Sequence, residues 1–323
     1  MTKVELGIMN ITCPLSGSVN VNLIEPLKVS DLIDLYGKDF GIDVSSEFGS
    51  LSEIGFYHCT DSDLKFFYPM VTGSEKFYEG LQKHDWYYQD DKSEFSFASQ
   101  FIKEADRVLE VGSGKGAFAE RITTKDYLGL EFSQEAKKLA AERGLKVINE
   151  SIQNHAAANP AKYDVVCAFQ VLEHVSEIHS FIKSSITCLK PGGLLIYSVP
   201  SADSYLSLAS NSILNMPPHH VSWWSDACLK YVARMFRLDI ISIEHEELAE
   251  IHKKSYAAFM ALQVIKNLIG FKGSLLDRSL KYRLSAKVAA WAGKFLEKGL
   301  IDPSMLPVGQ SVTVVYQKSM SDS

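Results

Sequence analysis

Residues 108–116, Val-Leu-Glu-Val-Gly-Ser-Gly-Lys-Gly, constrain the fold more than any other stretch of the chain. The run Val108 to Val111 reads as a short buried strand, because apolar-leaning residues stop abruptly at a glycine cluster. Gly112, Gly114 and Gly116 let the backbone turn tightly where a Cβ would obstruct it. A helix is expected from about Ala117, with its free N–H groups aimed at whatever occupies the loop. Strand, glycine loop and helix in that order describe a nucleotide site. Which nucleotide it holds decides the function.

At 323 residues, with 46% hydrophobic and 22% charged side chains, the chain suits one large domain or two modest ones with a substantial core. A net charge of −6 argues against a dedicated nucleic-acid binder, which presents a basic face. No stretch reaches the roughly 18 apolar residues that cross a membrane. Met1 to Asn10 lacks the basic and apolar regions of a signal peptide. Cys13, Cys59, Cys167, Cys188 and Cys228 are scattered and odd in number. Cys167, inside an apolar strand-like run, reads as a small buried hydrophobe. A reducing, cytoplasmic setting is expected.

Pattern divides the chain. Residues 1–95 are mixed and aromatic-rich, with Phe66-Phe67-Tyr68-Pro69 and Trp86-Tyr87-Tyr88 standing out. Residues 96–245 alternate strand and helix signals at the spacing of βαβ units. Strands are expected at 107–111, 127–131, 145–148, 163–169, 193–199 and 238–243. A helix over 133–143 has Ser133 at its N-cap and stops at Gly144. Lys190-Pro191-Gly192-Gly193 is expected to be a turn feeding the strand Leu194 to Val199. Residues 246–300 look helical, with apolar positions at helical spacing in 256–269 and 286–296 and a break at Gly270 to Gly273. A final strand, Ser311 to Gln317, lies within 301–318 and completes the core. Near the start, Asp31 to Tyr36 reads as a helix with Leu32, Leu35 and Tyr36 on one face.

Three readings compete for the glycine loop. A Walker A loop needs Gly-Lys-Ser/Thr at its end, and here Lys115 falls inside the glycine cluster. The dinucleotide pattern Gly-x-Gly-x-x-Gly/Ala is met by Gly112, Gly114 and Ala117, with Glu131 near where a ribose-binding acid belongs. Three further stretches bear on the choice. Glu110 to Gly116 resembles the first motif of class I S-adenosylmethionine-dependent methyltransferases, and Leu128-Gly129-Leu130-Glu131-Phe132-Ser133 resembles their second. Tyr163-Asp164-Val165-Val166 leading to Val171-Leu172-Glu173-His174-Val175 resembles their fourth-strand motif. Leu189-Lys190-Pro191-Gly192-Gly193 looks like the loop before their fifth strand.

The resemblance implies S-adenosylmethionine as cofactor and S-adenosylhomocysteine as product. It also implies a Rossmann-like α/β fold with a seven-stranded, mostly parallel sheet whose last strand runs antiparallel. By the same resemblance Glu110 lies near the cofactor's amino group, and Gly112, Ser113, Gly114 and Gly116 lie against its methionine part. Glu131 takes the ribose diol, which a carboxylate binds through two charge-assisted hydrogen bonds. Ser151 and Ile152 border the adenine, and Phe169 and Gln170 lie beside the methionyl portion. Phe132 packs either on the adenine or in the core.

The cofactor's sulfonium is already electrophilic, so alignment and exclusion of water supply much of the rate. A hydroxyl acceptor also needs a proton removed, which suits histidine near neutral pH. His174 follows Glu173 just past the fourth strand of the motif series and is either a base or a structural residue. Ubiquinone-pathway O-methyltransferases carry Glu-x-x-Glu-His here in connection with a divalent metal. This chain has Gln170 at the first position, so no metal is expected. Met216-Pro217-Pro218-His219-His220-Val221-Ser222-Trp223-Trp224 resembles a Pro-His-His segment that overlies the acceptor pocket of sugar and small-molecule methyltransferases. His219 or His220 is the expected base. Trp223 and Trp224 offer a stacking surface or join the core. Trp86, Tyr87 and Tyr88 are candidates to cap the cofactor or hold a sugar ring, or pack ordinarily.

Cys13-Pro14-Leu15-Ser16-Gly17 and Cys59-Thr60-Asp61-Ser62 resemble the paired knuckles of a small N-terminal zinc ribbon with the second cysteine of each replaced by serine. Serine is a poor zinc ligand, so the ribbon is expected to be metal-free and held by packing. The expected activity is methyl transfer to an oxygen of a sugar or sugar-containing intermediate of a surface glycan. A quinone-like phenol, C- or N-methylation, and a binding protein that kept the fold without the chemistry are the alternatives. The helices of 246–300 form a lid, a homodimer surface or a patch touching a lipid-linked acceptor, or simply dock on the core; Phe259, Leu262, Val264, Ile265, Leu268 and Ile269 suit each.

Overall fold

The computed structural model describes residues 11–84, 92–300 and 306–320. In chain order the strands are β1 (Val21–Lys28), β2 (Glu53–Cys59), β3 (Lys65–Tyr68), β4 (Val108–Val111), β5 (Tyr127–Leu130), β6 (Val147–Ile148), β7 (Tyr163–Phe169), β8 (Leu189–Pro200), β9 (Ser222–Trp223), β10 (Leu238–Glu247) and β11 (Val308–Lys318). Seven of them form one sheet in the order β10-β11-β8-β7-β4-β5-β6. β4 pairs in parallel with β5 and β7, β5 with β6, and β7 with β8, whereas β11 runs antiparallel to both β8 and β10. All four residues of β4 are buried, as expected of a central parallel strand covered on both faces.

Two local expectations fail for physical reasons. No helix follows the glycine loop; only the 3-10 turn Ala119–Arg121 forms before β5. The segment is too short to repay helix nucleation, and Thr124 Oγ1 turns back to donate to the Asp106 carbonyl at 2.5 Å. Lys190 to Gly193 is not a free turn but an irregularity within β8, where the register jumps from Tyr163↔Leu189 to Val165↔Leu194. Gly192 absorbs the distortion at φ +77°. The helix Gln134–Glu142 forms as its cap signals require, with Ser133 Oγ accepting the Ala136 N–H.

A second, four-stranded sheet, β1-β2-β3-β9, is completed by β9 from the middle of the chain. The amphipathic helix Val29–Phe40 buries Leu32, Leu35 and Tyr36 against it, in a cluster that includes Phe56, Phe67, Phe77 and Trp223. The two knuckles face each other and pack into the cluster of the larger sheet. Cys13 Sγ lies 3.3 Å from Ser62 Oγ, and Ser16 Oγ lies 3.8 Å from Cys59 Sγ. Hydrogen bonds join the four positions that a ribbon gives to metal.

The helices Glu250–Leu268 and Leu280–Leu296 pack together as a hairpin longer than its sequence pattern suggested. Leu262 is buried in it, whereas Val264, Leu268 and Ile269 are exposed. Among the described residues no helix is long and apolar enough to cross a membrane.

Because the four knuckle positions already converge, restoring both thiols completes a tetrahedral set. The double variant Ser16→Cys, Ser62→Cys is expected to copurify with about one zinc per chain and to unfold at a higher temperature until a chelator is added. Elemental analysis beside the unsubstituted protein checks this. Zinc in neither protein means that the knuckles do not align as described.

Candidate functional site

The strand ends of β4, β5 and β7 open onto a cleft of ≈ 410 Å³ whose walls include Gly112, Glu131, Phe132, Ile152, Val171 and His174. Its glycines are required by space as well as by torsion. Gly112 has φ +72°, and a Cβ there would come within 2.5 Å of Val171 Cγ2. Gly116, at φ +82°, would bring a Cβ to 2.2 Å from Leu145 Cδ1. Glu131, at the end of β5, braces the loop. Its Oε2 accepts the Gly114 N–H at 2.9 Å and its Oε1 the Ser133 N–H at 2.8 Å. A carboxylate has about four acceptor positions, so two stay available to a ligand's diol.

The other cofactor candidates divide. Phe132 is 65% exposed and lines the cleft, so it does not join the core. Ser151 lines it too, although its hydroxyl caps the helix Ile152–Ala158 by accepting the Asn154 N–H at 3.2 Å. Ser113 is buried beside Gly129, where a Cβ would meet its hydroxyl at 2.4 Å. The Phe169 ring turns away into a cluster with Phe95 and Phe118, at centroid distances of 5.1 and 4.5 Å. Gln170 holds φ +56° and directs its amide to Glu94, Ser198 and Ser311. Glu110 lies in the interior, accepting the Tyr127 hydroxyl at 2.5 Å, and burial pushes its carboxyl up to about 8.

Where His174 reaches the cleft wall, three histidines meet. His174 ends the turn Leu172–His174 after β7, and His219 and His220 come from the proline-stiffened loop before β9. Glu173 ties the two segments, its carbonyl accepting the Val221 N–H at 2.8 Å. From the smaller lobe Tyr36 donates its hydroxyl to the Ile213 and Met216 carbonyls at 3.0 and 3.1 Å. Each imidazole Nδ1 faces an oxygen: His174 that of the His219 carbonyl at 2.5 Å, His219 that of Leu214 at 2.8 Å, His220 the Asn215 Oδ1 at 3.0 Å. Carbonyl oxygens only accept, so each Nδ1 carries the proton and each Nε2 keeps its lone pair.

Burial lowers all three imidazoles, His174 to about 4, His219 to about 3 and His220 well below its usual value, and neighbouring imidazoles add to the effect on the latter two. They are neutral near pH 7. Glu173 is buried beside them, its Oε1 3.7 Å from His174 Nε2 and 4.0 Å from His220 Nε2. Neither of its carboxyl oxygens bonds to another residue, and burial pushes it up to about 8. One ring nitrogen from each histidine lies within 4.8 Å of the other two, near enough to share a cation. Gln170, on which the expectation of no metal rested, takes no part in this group.

The structure also adds a residue. Tyr78, on the helix Glu75–Gln82, lines the cleft with its hydroxyl 3.2 Å from His174 Nδ1. The only signal in the sequence was an amphipathic helix with a serine cap. The tryptophans go the other way. Trp224 is fully buried and donates to Ser222 Oγ, while Trp223 packs at a tilt against Phe56 and donates to the Asn215 carbonyl. Neither ring is free to stack on an acceptor, because both supply core volume. Trp86, Tyr87 and Tyr88 lie outside the described residues.

Residues 84–243 match the family model described as a methyltransferase domain. The chain carries a class I, S-adenosylmethionine-dependent methyltransferase domain. The ubiquinone biosynthesis O-methyltransferase of Proteus mirabilis is 33% identical over 124 residues, 35% of this chain and 51% of that protein. The one from Serratia proteamaculans is 39% identical over 100 residues, 28% of this chain and 41% of that protein. The chain thus spans about half, or less, of these curated relatives. The structure of an S-adenosylmethionine-dependent methyltransferase from Archaeoglobus fulgidus has a TM-score of 0.50 at 18% identity, over 75% of this chain and 100% of that one. That likeness concerns the fold. The methyltransferase cleft itself suits an adenosyl sulfonium better than a dinucleotide: a carboxylate with spare acceptor sites faces it, and among the described residues only a 3-10 turn, not a helix, follows the glycine loop where a pyrophosphate would be held.

Two predictions follow from these carboxyl groups. Glu131→Ala removes charge-assisted hydrogen bonds worth about 2 kcal/mol, roughly 30-fold in affinity. Calorimetry with S-adenosylhomocysteine is expected to register that loss, and unchanged affinity would remove Glu131 from the site. Glu110 holds its proton in the folded chain up to about pH 8, whereas unfolded glutamate releases it near about 4.3. Its contribution to stability therefore falls as pH rises between those values and levels off above. Glu110→Gln is expected to raise the melting temperature at pH 8.5 by several degrees and to change it little at pH 5; equal shifts at both would mean that Glu110 is ionised when folded.

Proposed function

We propose that the protein transfers a methyl group from S-adenosylmethionine to a hydroxyl of a small acceptor, a sugar or sugar-containing intermediate of a surface glycan. The observation that supports this is the composition of one cleft, which joins the cofactor groups Gly112 and Glu131 to Tyr78 and His174. The bound cofactor supplies an electrophilic methyl on sulfur. The chain's own task is to orient the two reactants and to receive a proton.

Glu131 holds the ribose end in place, and the glycine loop admits the methionine part at close range. An imidazole Nε2 would receive the proton that the acceptor hydroxyl gives up on methylation. Sequence favoured His219 or His220 for this step. The cleft wall favours His174, with the other two rings 4.7 and 4.9 Å from it by centroid. The His219 carbonyl fixes the His174 tautomer. Walls of imidazole, phenol hydroxyl and carboxyl suit an acceptor with several hydroxyl groups. The names of the matched relatives favour a second reading, a quinone-like phenol.

His174→Gln is expected to lower turnover by roughly 100-fold or more with affinity for S-adenosylhomocysteine nearly unchanged. His219→Gln and His220→Gln made alongside show which ring takes the proton. The assay measures S-adenosylhomocysteine release on a panel of nucleotide sugars, glycan intermediates and catechol-type phenols. Full turnover in all three variants would remove the histidines from the chemistry. Loss of turnover with a chelator, restored by a divalent cation, would instead make them ligands.

A further inference from the structure

The helical hairpin is built inside out. Its second helix, Leu280–Leu296, turns small residues toward the first: Ser285, Ala289 and Gly293 are buried. A Cβ at Gly293 would meet the Ala258 backbone nitrogen at 2.8 Å. The large apolar residues point the other way. Leu280, Leu284, Val288, Trp291 and Phe295 recur at helical spacing along one stripe and are between 55% and 67% exposed. On the first helix Met260, Val264 and Leu268 form a second exposed row. A helix that serves only its own core does the reverse.

Charge singles out the same element. The whole chain has 33 Lys and Arg against 39 Asp and Glu, yet between residues 250 and 300 ten basic residues stand against three acidic ones. Lys281, Arg283, Lys287 and Lys294 belong to the helix that carries the apolar stripe. We propose that this face docks on an anionic phospholipid surface. An exposed apolar stripe with a tryptophan, accompanied by lysine and arginine, has the chemistry of a helix lying at a lipid headgroup boundary. A second copy is disfavoured, because two such faces would bring like charges together.

The docking site is coupled in space to the histidine loop. Tyr282 donates its hydroxyl to the Ser210 carbonyl at 3.0 Å, and Asn211 donates to the Asp277 carbonyl at 2.8 Å. Tyr205 packs against Tyr256 and Phe259. Residues 205–211 lead directly into the segment that carries His219 and His220. Lipid on the hairpin would therefore lie beside the element that shapes the acceptor end of the cleft.

The full chain is mixed with phosphatidylcholine vesicles with and without phosphatidylglycerol, and binding is read by sedimentation and by the emission of Trp291. A Trp291→Phe protein supplies the background from the other tryptophans. The expected result is roughly tenfold or stronger preference for the anionic vesicles, weakened by salt, with a blue shift of the Trp291 emission. The double variant Leu284→Ser, Trp291→Ala is expected to lose that binding while keeping its affinity for S-adenosylhomocysteine, which shows that it is folded. No partition onto anionic vesicles, or equal partition by the variant, overturns the proposal. A dimer in ultracentrifugation that the same variant dissociates overturns it too, in favour of a second copy.

Discussion

A carboxylate at the end of one strand holds the loop at the end of its neighbour. Glu131 receives N–H groups from Gly114 and Ser133, so the glycine loop after β4 and the cap region after β5 are locked to one side chain. Gly112 and Gly116 then admit Val171 and Leu145 at distances that a Cβ would not allow. The cleft exists because these contacts are close. Its floor is rigid backbone, and its acidic wall is already oriented before any ligand arrives, which limits what binding must reorganise.

The histidine end depends on a different kind of support. The histidine loop is held from both lobes: by the Glu173 carbonyl at the end of the core sheet, and by Tyr36 from the helix of the smaller one. β9, immediately after that loop, completes the smaller sheet. The small lobe thus acts as a clamp on the histidine loop. This gives a physical role to a lobe whose knuckles are joined by serine and cysteine hydrogen bonds, since a rigid clamp needs packing more than it needs a metal.

Electrostatically the groups buried behind the cleft differ from the Glu131 carboxylate in its wall. Burial works in opposite directions on acids and bases, raising Glu110 and Glu173 and lowering the three imidazoles. The buried acids and imidazoles are thereby held neutral near pH 7. The basic hairpin lines none of this cleft but bonds to residues 205–211, which lead into the histidine loop.

Much of this was legible in local sequence. The strand and glycine loop at 108–116, the Ser133 cap and the apolar run of β7 follow from short-range rules, in which a residue's neighbours in the chain are its partners in space. Tertiary structure overruled such rules where a distant group competed. Thr124 turned back to Asp106 in place of a helix, and Phe169, Trp223 and Trp224 went to fill cores built from other segments. The meeting of His174 with His219 and His220 spans some 45 residues of chain, and no periodicity encodes it. The inverted faces of the hairpin are likewise a tertiary fact: the sequence shows apolar residues at helical spacing, but only the packing of Gly293 on Ala258 decides which of them face water.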